Sequence, residues 1–373
     1  MKFGRNQAIC ISGESGAGKT EAAKLCLSFM TEIMDEPPSE VHQMKLKDKI
    51  LATSPILEAF GNATTYKNDN SSRFGKYFTI YTDWEKNRKK LNILGAEISI
   101  YLLEKCRVTQ SSKSNERNYH IFYALCRFAP KEMLSKYKLL NSKDKCDMSK
   151  FNYLNKTDRY QVDKVNDSVI LEEVIKAFTT LNFSTEEVDG VWRALSIILN
   201  LGNCVIDDSN FSEGYRACHF QSNSYLSNVL NLLEIDIDFL EKSICNRKIV
   251  DPNTNDVIWS PIKKAKCQAI IDSMAKALYK RLYHFINKKC NETIMPESMI
   301  SNKQMYKRIG MLDIFGFENF DINSLEQFCI NYTNEKLQHL YIRNIFINEK
   351  EIFRKEGLID YIRVINYVDN ENI

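Results

Sequence analysis

Apolar residues along the chain alternate between two spacings, and the changes between them mark its elements. Residues 8–12 (AICIS) form a short apolar run between Asn6 and Gly13, which reads as a buried strand. After a glycine-rich stretch at 13–20, Ala22, Cys26, Phe29 or Met30, and Ile33 recur at helical spacing and predict a helix over 19–34. The DEPPS sequence at 35–39 ends it in a loop. Residues 48–60 predict a helix that Pro55 kinks or interrupts. The Asn-rich stretch 62–72 reads as a loop. Period-two alternation over 74–81 and β-rich character over 91–103 predict a hairpin around the charged residues 85–90. From 119 to 290 the pattern is mainly helical, with helices expected over 119–128, 168–181, 185–201, 224–232 and 263–289. RIGMLDI at 308–314 reads as a second buried strand. Residues 324–356 read as one helix of about 50 Å at 1.5 Å per residue. Ser324 and Gln327 form a capping box at its start, and Gly357 lies just past its end. No internal repeat is present.

Composition narrows the class without naming a function. The chain has 373 residues, 44% hydrophobic and 27% charged, which fits a folded protein of two to three domains and excludes global disorder. Lys and Arg number 51 against 48 Asp and Glu, a net charge of +3, so no nucleic acid or anionic membrane is demanded as partner. Lys-rich patches at 45–49, 86–90 and 263–266 read as solvated faces and turns. The eleven Cys include no CxxC pair or zinc-finger spacing, and they read as reduced, mostly buried thiols of a cytosolic protein. No signal peptide is recognisable, and no apolar run reaches the ~18 residues of a membrane span.

Three segments carry chemistry. Gly13, Glu14, Ser15, Gly16, Ala17, Gly18, Lys19 and Thr20 spell GxxxxGK[ST] between a predicted strand and a predicted helix. Backbone N–H groups of such a loop turn inward around phosphate oxygens at a helix N-terminus. Lys19 reaches the β/γ-phosphates and the Thr20 hydroxyl ligates Mg²⁺. The second segment is Asn68-Asp-Asn70-Ser71-Ser72-Arg73-Phe-Gly-Lys76. Beside a phosphate loop, its amides, hydroxyls and Arg suit a sensor that wraps a γ-phosphate and completes the Mg²⁺ shell. In the third, Asp313 ends a predicted strand, where an acidic residue orients Mg²⁺ or its water. Gly316 lets a backbone N–H approach the γ-phosphate, and Glu318 offers a carboxylate to Arg73.

GESGAGKT, NDNSSRFGKY and LDIFGFE closely resemble the phosphate loop and the two switches of the myosin motor domain. SPILEAFGN (54–62), GAEISIYLLEKCRV (95–108), ERNYHIFY (116–123), LNLGNC (199–204), DSMAKALYKRL (272–282) and EQFCINYTNEKLQHL (326–340) extend the resemblance over about 5–369. Kinesins share NxxSSR, but they place their two switches close together, whereas Arg73 and Asp313 lie far apart here. NKTD at 155–158 matches a guanine-reading motif, yet it precedes DxxG instead of following it, and reads as a chance match. The five His are scattered, with no catalytic role expected.

The resemblance implies an α/β fold, with a P-loop NTPase core, a partial mixed central sheet and a large mainly helical insertion. It implies a division into a phosphate-loop and first-switch part (1–118), a helical upper actin-binding subdomain (119–300), and a part with the second switch and relay helix (301–373). The implied function is an actin-based motor ATPase using ATP and Mg²⁺ in the cytoplasm, on the actin cytoskeleton. Lys19 and the loop N–H groups would hold the phosphates, and Thr20 and Ser72 would ligate Mg²⁺, with Asp313 just outside its direct ligands. Asn68 and Asn70 would hold the phosphate-side loop. Ser71 and the Gly316 N–H would position γ-phosphate and water, and an Arg73–Glu318 bridge would close the site. Residues 247–264 resemble the family's actin-contacting surface loop, with Asp256 at its usually acidic or phosphorylatable position. Against that family the chain reads as an incomplete motor domain, with light-chain and cargo segments not encoded in it. The alternative is a non-motor fragment with weak or no ATPase, acting by interaction.

Overall fold

The computed structural model describes residues 5–34, 45–85, 90–109, 115–208, 218–301, 303–320, 323–358 and 367–368. The loop expected at 35–39 lies outside them, as do turn residues 86–89.

The chain opens with β1 (Gln7–Ile11) and α1 (Lys19–Ile33). Ala23, Leu27 and Met30 of α1 are buried, with Met34 just after it, while Leu25, Phe29 and Ile33 stay exposed. The inward face therefore lies one residue on from the expected Ala22–Cys26 stripe. Both faces are apolar, and packing against the neighbouring elements chooses between them. The next helix, α2 (Leu46–Gly61), runs through Pro55 without interruption. Burial of Ile50, Ile56, Leu57 and Phe60 on both sides of the proline offsets the hydrogen bond it removes. The expected 62–72 loop is instead a tight hairpin, with β2 (Asn62–Ala63) antiparallel to β3 (Ser71–Ser72). Side-chain bonds close its turn: the Asn68 N–H donates to Thr65 Oγ1 and Thr64 Oγ1 donates to the Asp69 carbonyl.

The alternating pattern after Arg73 folds as β4 (Gly75–Glu85) paired antiparallel with β5 (Lys90–Tyr101), with a register shift between Tyr81 and Thr82. Then come α3 (His120–Phe128), α4 (Lys131–Lys136), α5 (Asp167–Thr180) and α6 (Thr185–Leu201). A short pair, β6 (Ile206–Asp207) with β7 (His219–Phe220), precedes α7 (Ser224–Leu233) and α8 (Ile237–Cys245). The expected surface loop at 247–264 is largely a hairpin, β8 (Asn246–Val250) with β9 (Val257–Pro261). It leads into the 31-residue α9 (Lys264–Ile294), followed by α10 (Glu297–Ile300) and β10 (Lys307–Asp313).

The sheet order is β1-β10-β4-β5. β1 runs parallel to β10, and β10 antiparallel to β4, so the sheet is mixed as expected. β1 is not the buried strand its composition suggested. It lies at the sheet edge, among the described residues, with Gln7 to Cys10 exposed. Apolar runs mark strands, but only topology says which strand is covered.

The expected 324–356 helix is not uniform. It comprises α11 (Leu325–Ile342), a π-helical turn over Arg343–Ile347, and α12 (Asn348–Lys355). In the wide turn the Asn348 N–H donates to the Arg343 carbonyl five residues back. Phe346 packs there against Tyr341 and Tyr367, at ring-centroid distances of 6.1 and 5.2 Å. Ser324 caps the start as its pattern predicts, its N–H donating to Gln327 Oε1 at 2.9 Å. Gly357, at φ 77°, closes the end, and the Leu358 N–H donates to the Phe353 carbonyl.

One apolar cluster joins α1, α2, the sheet and the helical segments, running in sequence from Ala23 to Met311. Within it α9 lies against α2. The Tyr279 ring stacks on Tyr119 with centroids 4.8 Å apart, and its hydroxyl donates to the Phe60 carbonyl at 2.6 Å. That carbonyl is among the last four of α2, which have no partner within the helix. Tyr279→Phe is expected to leave it buried and unsatisfied, lowering unfolding stability by about 1–3 kcal/mol, as measured by urea denaturation.

Candidate functional site

The segments singled out by sequence meet in one cleft of about 240 Å³. Ser15, Gly16, Gly18, Lys19 and Thr20 form one wall, the 62–72 hairpin forms another, and residues 314–316 close it. Local chemistry explains the first wall. Gly16 and Gly18 adopt φ of 85° and 83°, a left-handed conformation that a Cβ disfavours, so the backbone turns sharply into α1. Lys19, nearly buried, folds back so that Nζ donates to the carbonyls of Gly13 and Glu14 at 2.9 and 2.6 Å. Burial lowers its pKa, against the raising influence of Asp313, Glu318 and Glu14.

Gly316 packs directly on this loop. A Cβ there would lie 2.4 Å from the Gly13 carbonyl oxygen and 2.6 Å from the Ser15 nitrogen, so only glycine allows the approach. Asp313 ends β10 opposite Ile11 on one side and Lys76 on the other, with Lys76 Nζ 3.7 Å from its carboxylate. Burial raises the Asp313 pKa, opposed by Lys76, by a hydrogen bond with Thr20 and by Lys19. The Ser72 hydroxyl donates to the Phe74 carbonyl at 2.8 Å, which leaves its oxygen lone pairs available.

At the back of the cleft Arg73 is fully buried. Its NH1 donates to Glu318 Oε1 at 2.5 Å and to Ser71 Oγ at 3.3 Å. NH2 donates to Glu318 Oε2 at 3.1 Å and Glu104 Oε1 at 3.2 Å, and Nε to Glu104 Oε2 at 2.8 Å. All five guanidinium N–H groups are thereby used. The Arg73–Glu318 pair expected from sequence is present.

Sequence reasoning does not reach Glu104. It lies in the GAEISIYLLEKCRV segment, but no local pattern names its partner. Arg107 Nε also donates to its Oε2 at 2.5 Å, and Arg107 NH1 pairs with Glu116 at 3.1 Å, so charges alternate along Arg73, Glu104, Arg107 and Glu116. Burial works to raise the Glu104 pKa, but Arg107 and Arg73 outweigh it and hold it down to about 2. The amides of α11 are equally silent in the sequence. Asn331 accepts the Glu318 N–H at 2.8 Å and donates to its carbonyl at 2.7 Å. Gln327 donates to Glu318 Oε2, and Asn334 to the Phe315 carbonyl. His120 is one of five scattered histidines with no expected role, yet its ring touches Asn70.

Asn68 and Asn70 line the cleft, with the Asn70 N–H donating to Asn68 Oδ1 at 3.1 Å. Ala17 continues the loop, its N–H donating to the Glu14 carbonyl. Asp256 is not part of this assembly. It stands exposed at the turn of the β8–β9 hairpin, where its carbonyl accepts the Asp251 N–H.

The chain matches the family model for the myosin head (motor domain) over residues 1–373. It is 39% identical over 369 residues to unconventional myosin-Vc of Homo sapiens, covering 99% of this chain and 20% of that protein. It is 38% identical over 373 residues to myosin-1 of Pyricularia oryzae, covering 98% and 28%. Myosin-16 of Arabidopsis thaliana is 38% identical over 370 residues, covering 99% and 28%. The chain belongs to the myosin head family, and it spans between about a fifth and just over a quarter of the length of these relatives.

Because the folded pKa of Glu104 is depressed, its contribution to stability is full above the ordinary value of 4.5 and is lost as pH falls toward about 2. Glu104→Gln is expected to flatten the fall in stability across that window. Urea unfolding at a series of pH values checks it, and an unchanged slope contradicts the assignment.

Proposed function

We propose that this chain forms part of an actin-based motor ATPase built on a P-loop NTPase core. The observation that carries the reading is the buried Arg73–Glu318 bridge, formed while Gly316 rests on the phosphate loop. A site for phosphoryl transfer works mainly by positioning and charge stabilisation. The substrate is ATP. Lys19 and the N–H groups of the 13–20 loop hold its β/γ-phosphates, with Lys19 leaving the Gly13 and Glu14 carbonyls to do so. Asn68 and Asn70 secure the phosphate from the hairpin side. Ser71 and the Gly316 N–H set the γ-phosphate and the attacking water, and the Arg73–Glu318 bridge shuts water out behind them.

The hydroxyls of Thr20 and Ser72 and the nearby Asp313 carboxylate are hard oxygen groups that suit Mg²⁺, which neutralises phosphate charge when bound. Thr20 and Ser72 would hold it directly, with Asp313 beyond. By the same reading, residues 1–118 are the phosphate-loop and first-switch part, 119–300 the upper actin-binding subdomain, and 301–373 the second-switch and relay part. The protein works in the cytoplasm on actin filaments. No helix among the described residues is long and apolar enough to cross a membrane.

Mg-ATPase of this chain, with and without filamentous actin, tests the reading directly. Arg73→Glu is expected to abolish steady hydrolysis, and adding Glu318→Arg to restore part of it. Recovery stays partial because Glu at 73 would face the buried Glu104 as a like charge. Adding Glu104→Gln should therefore raise it further, whereas no recovery in either combination rules out the bridge as the closing element.

Asp256, at its exposed turn, is proposed to contact actin. In a complete motor carrying this segment, Asp256→Ala should weaken co-sedimentation with actin filaments, measured with and without ATP. Unaltered co-sedimentation removes Asp256 from the interface.

A further inference from the structure

A buried histidine stands directly behind the proposed phosphate-facing side of the cleft and has no role in the chemistry described so far. His120, at the start of α3, is almost wholly buried. Its Nδ1 lies 3.0 Å from Arg117 NH2, and its Nε2 lies 3.1 Å from Asn70 Oδ1. Arg117 is also fully buried and is locked by Asp167, with NH2 to Oδ1 at 2.5 Å and NH1 to Oδ2 at 3.2 Å. A guanidinium has only donors, so Nδ1 of His120 must be the acceptor and carries no proton. Burial, with the charges of Arg117 and Arg107, lowers the His120 pKa well below its ordinary value, and the ring is neutral. Its one proton is therefore on Nε2, which donates to Asn70. Asn62 Nδ2 donates to the same Oδ1 at 3.0 Å.

Two donors thus hold the Asn70 carbonyl oxygen on the protein side. A flipped amide would set its NH₂ group against both of them. Asn70 lines the cleft, so the arrangement turns its NH₂ outward. We propose that His120 is a positioning residue which, together with Asn62, fixes the Asn70 side chain as a hydrogen-bond donor to a nucleotide phosphate. The proposal rests on the nucleotide reading above and deepens it. The chain of command runs from Asp167 through Arg117 and His120 to Asn70. It ties the phosphate side of the hairpin to the start of α5, far from it in sequence.

The test is Mg-ATP binding by the full 373-residue chain, measured by titration calorimetry. His120→Phe keeps an aromatic ring but removes the Nε2 donor, and it should weaken binding by about three- to tenfold, the scale of one hydrogen bond. His120→Gln can accept from Arg117 and donate to Asn70, and should recover most of the affinity. In an Asn70→Ala background, His120→Phe should have no further effect, because the group it orients is gone. Equal weakening in both backgrounds means a general packing role and overturns the proposal. Should His120→Phe fail to fold, ¹⁵N spectroscopy of the parent's histidine rings decides: the Nε2–H form at His120 supports the proposal and the Nδ1–H form overturns it. Failure of the parent chain to bind Mg-ATP would remove the nucleotide reading, and this proposal with it. Binding by the parent with unaltered affinity in His120→Phe overturns this proposal alone.

Discussion

The guanidinium of Arg73 sits where no water reaches, and much of the molecule is arranged around that fact. An unpaired charge in such a place costs several kcal/mol, and removing one partner of a buried pair costs about 3–5 kcal/mol. Two carboxylates are therefore brought to it from distant parts of the chain, Glu104 just beyond β5 and Glu318 just beyond β10. Their roles differ. Glu104 lies close in sequence to the strands and is itself held by Arg107. Glu318 belongs to a segment between a strand end and a helix start. Glu104 bonds Arg73 through both of its oxygens and would keep the guanidinium paired if Glu318 withdrew.

The same electrostatic logic organises the ERN segment ahead of α3. Glu116 neutralises Arg107, Arg117 is matched by Asp167, and Asn118 donates to the carbonyls of Val108 and Tyr153. Arg127 adds a second cation to Asp167. The buried charges of this segment are paired with one another. The apolar cluster can then continue around these groups from α2 to α9.

The elements that alternate or repeat cleanly are legible in the residues themselves. The phosphate loop needs glycines and a lysine at fixed offsets, so it can be read locally, as can the β4–β5 alternation and the Ser324–Gln327 cap. What stays hidden depends on tertiary choice. Whether α1 turns Ala22 or Ala23 inward is not encoded in its own stripe, because Leu25, Phe29 and Ile33 are as apolar as the buried face. That β1 lies at the sheet edge among the described residues follows from strand order, not from AICIS. Glu104 and His120 each lie in segments that the motif pattern singles out. Their importance comes from partners 31 and 50 residues away, Arg73 and Asn70, which no periodicity reveals. The π turn at Arg343–Ile347 carries no glycine or proline to announce it.

Asn331 holds Glu318 by its main chain, accepting the N–H and donating to the carbonyl, while Gln327 holds the carboxylate of the same residue. A single bond would act as a tether, passing on tension but letting the parts swivel. Attachment at both backbone groups behaves as a keyed joint, which passes torque as well as pull. A turn of the peptide at Glu318 would therefore bear on α11 through two bonds on one side chain. Because the key engages the backbone, this coupling survives changes of side chain at 318 that would destroy the bridge to Arg73. Glu318 thus meets Arg73 through its side chain and Asn331 of α11 through its backbone, two attachments separable at one residue.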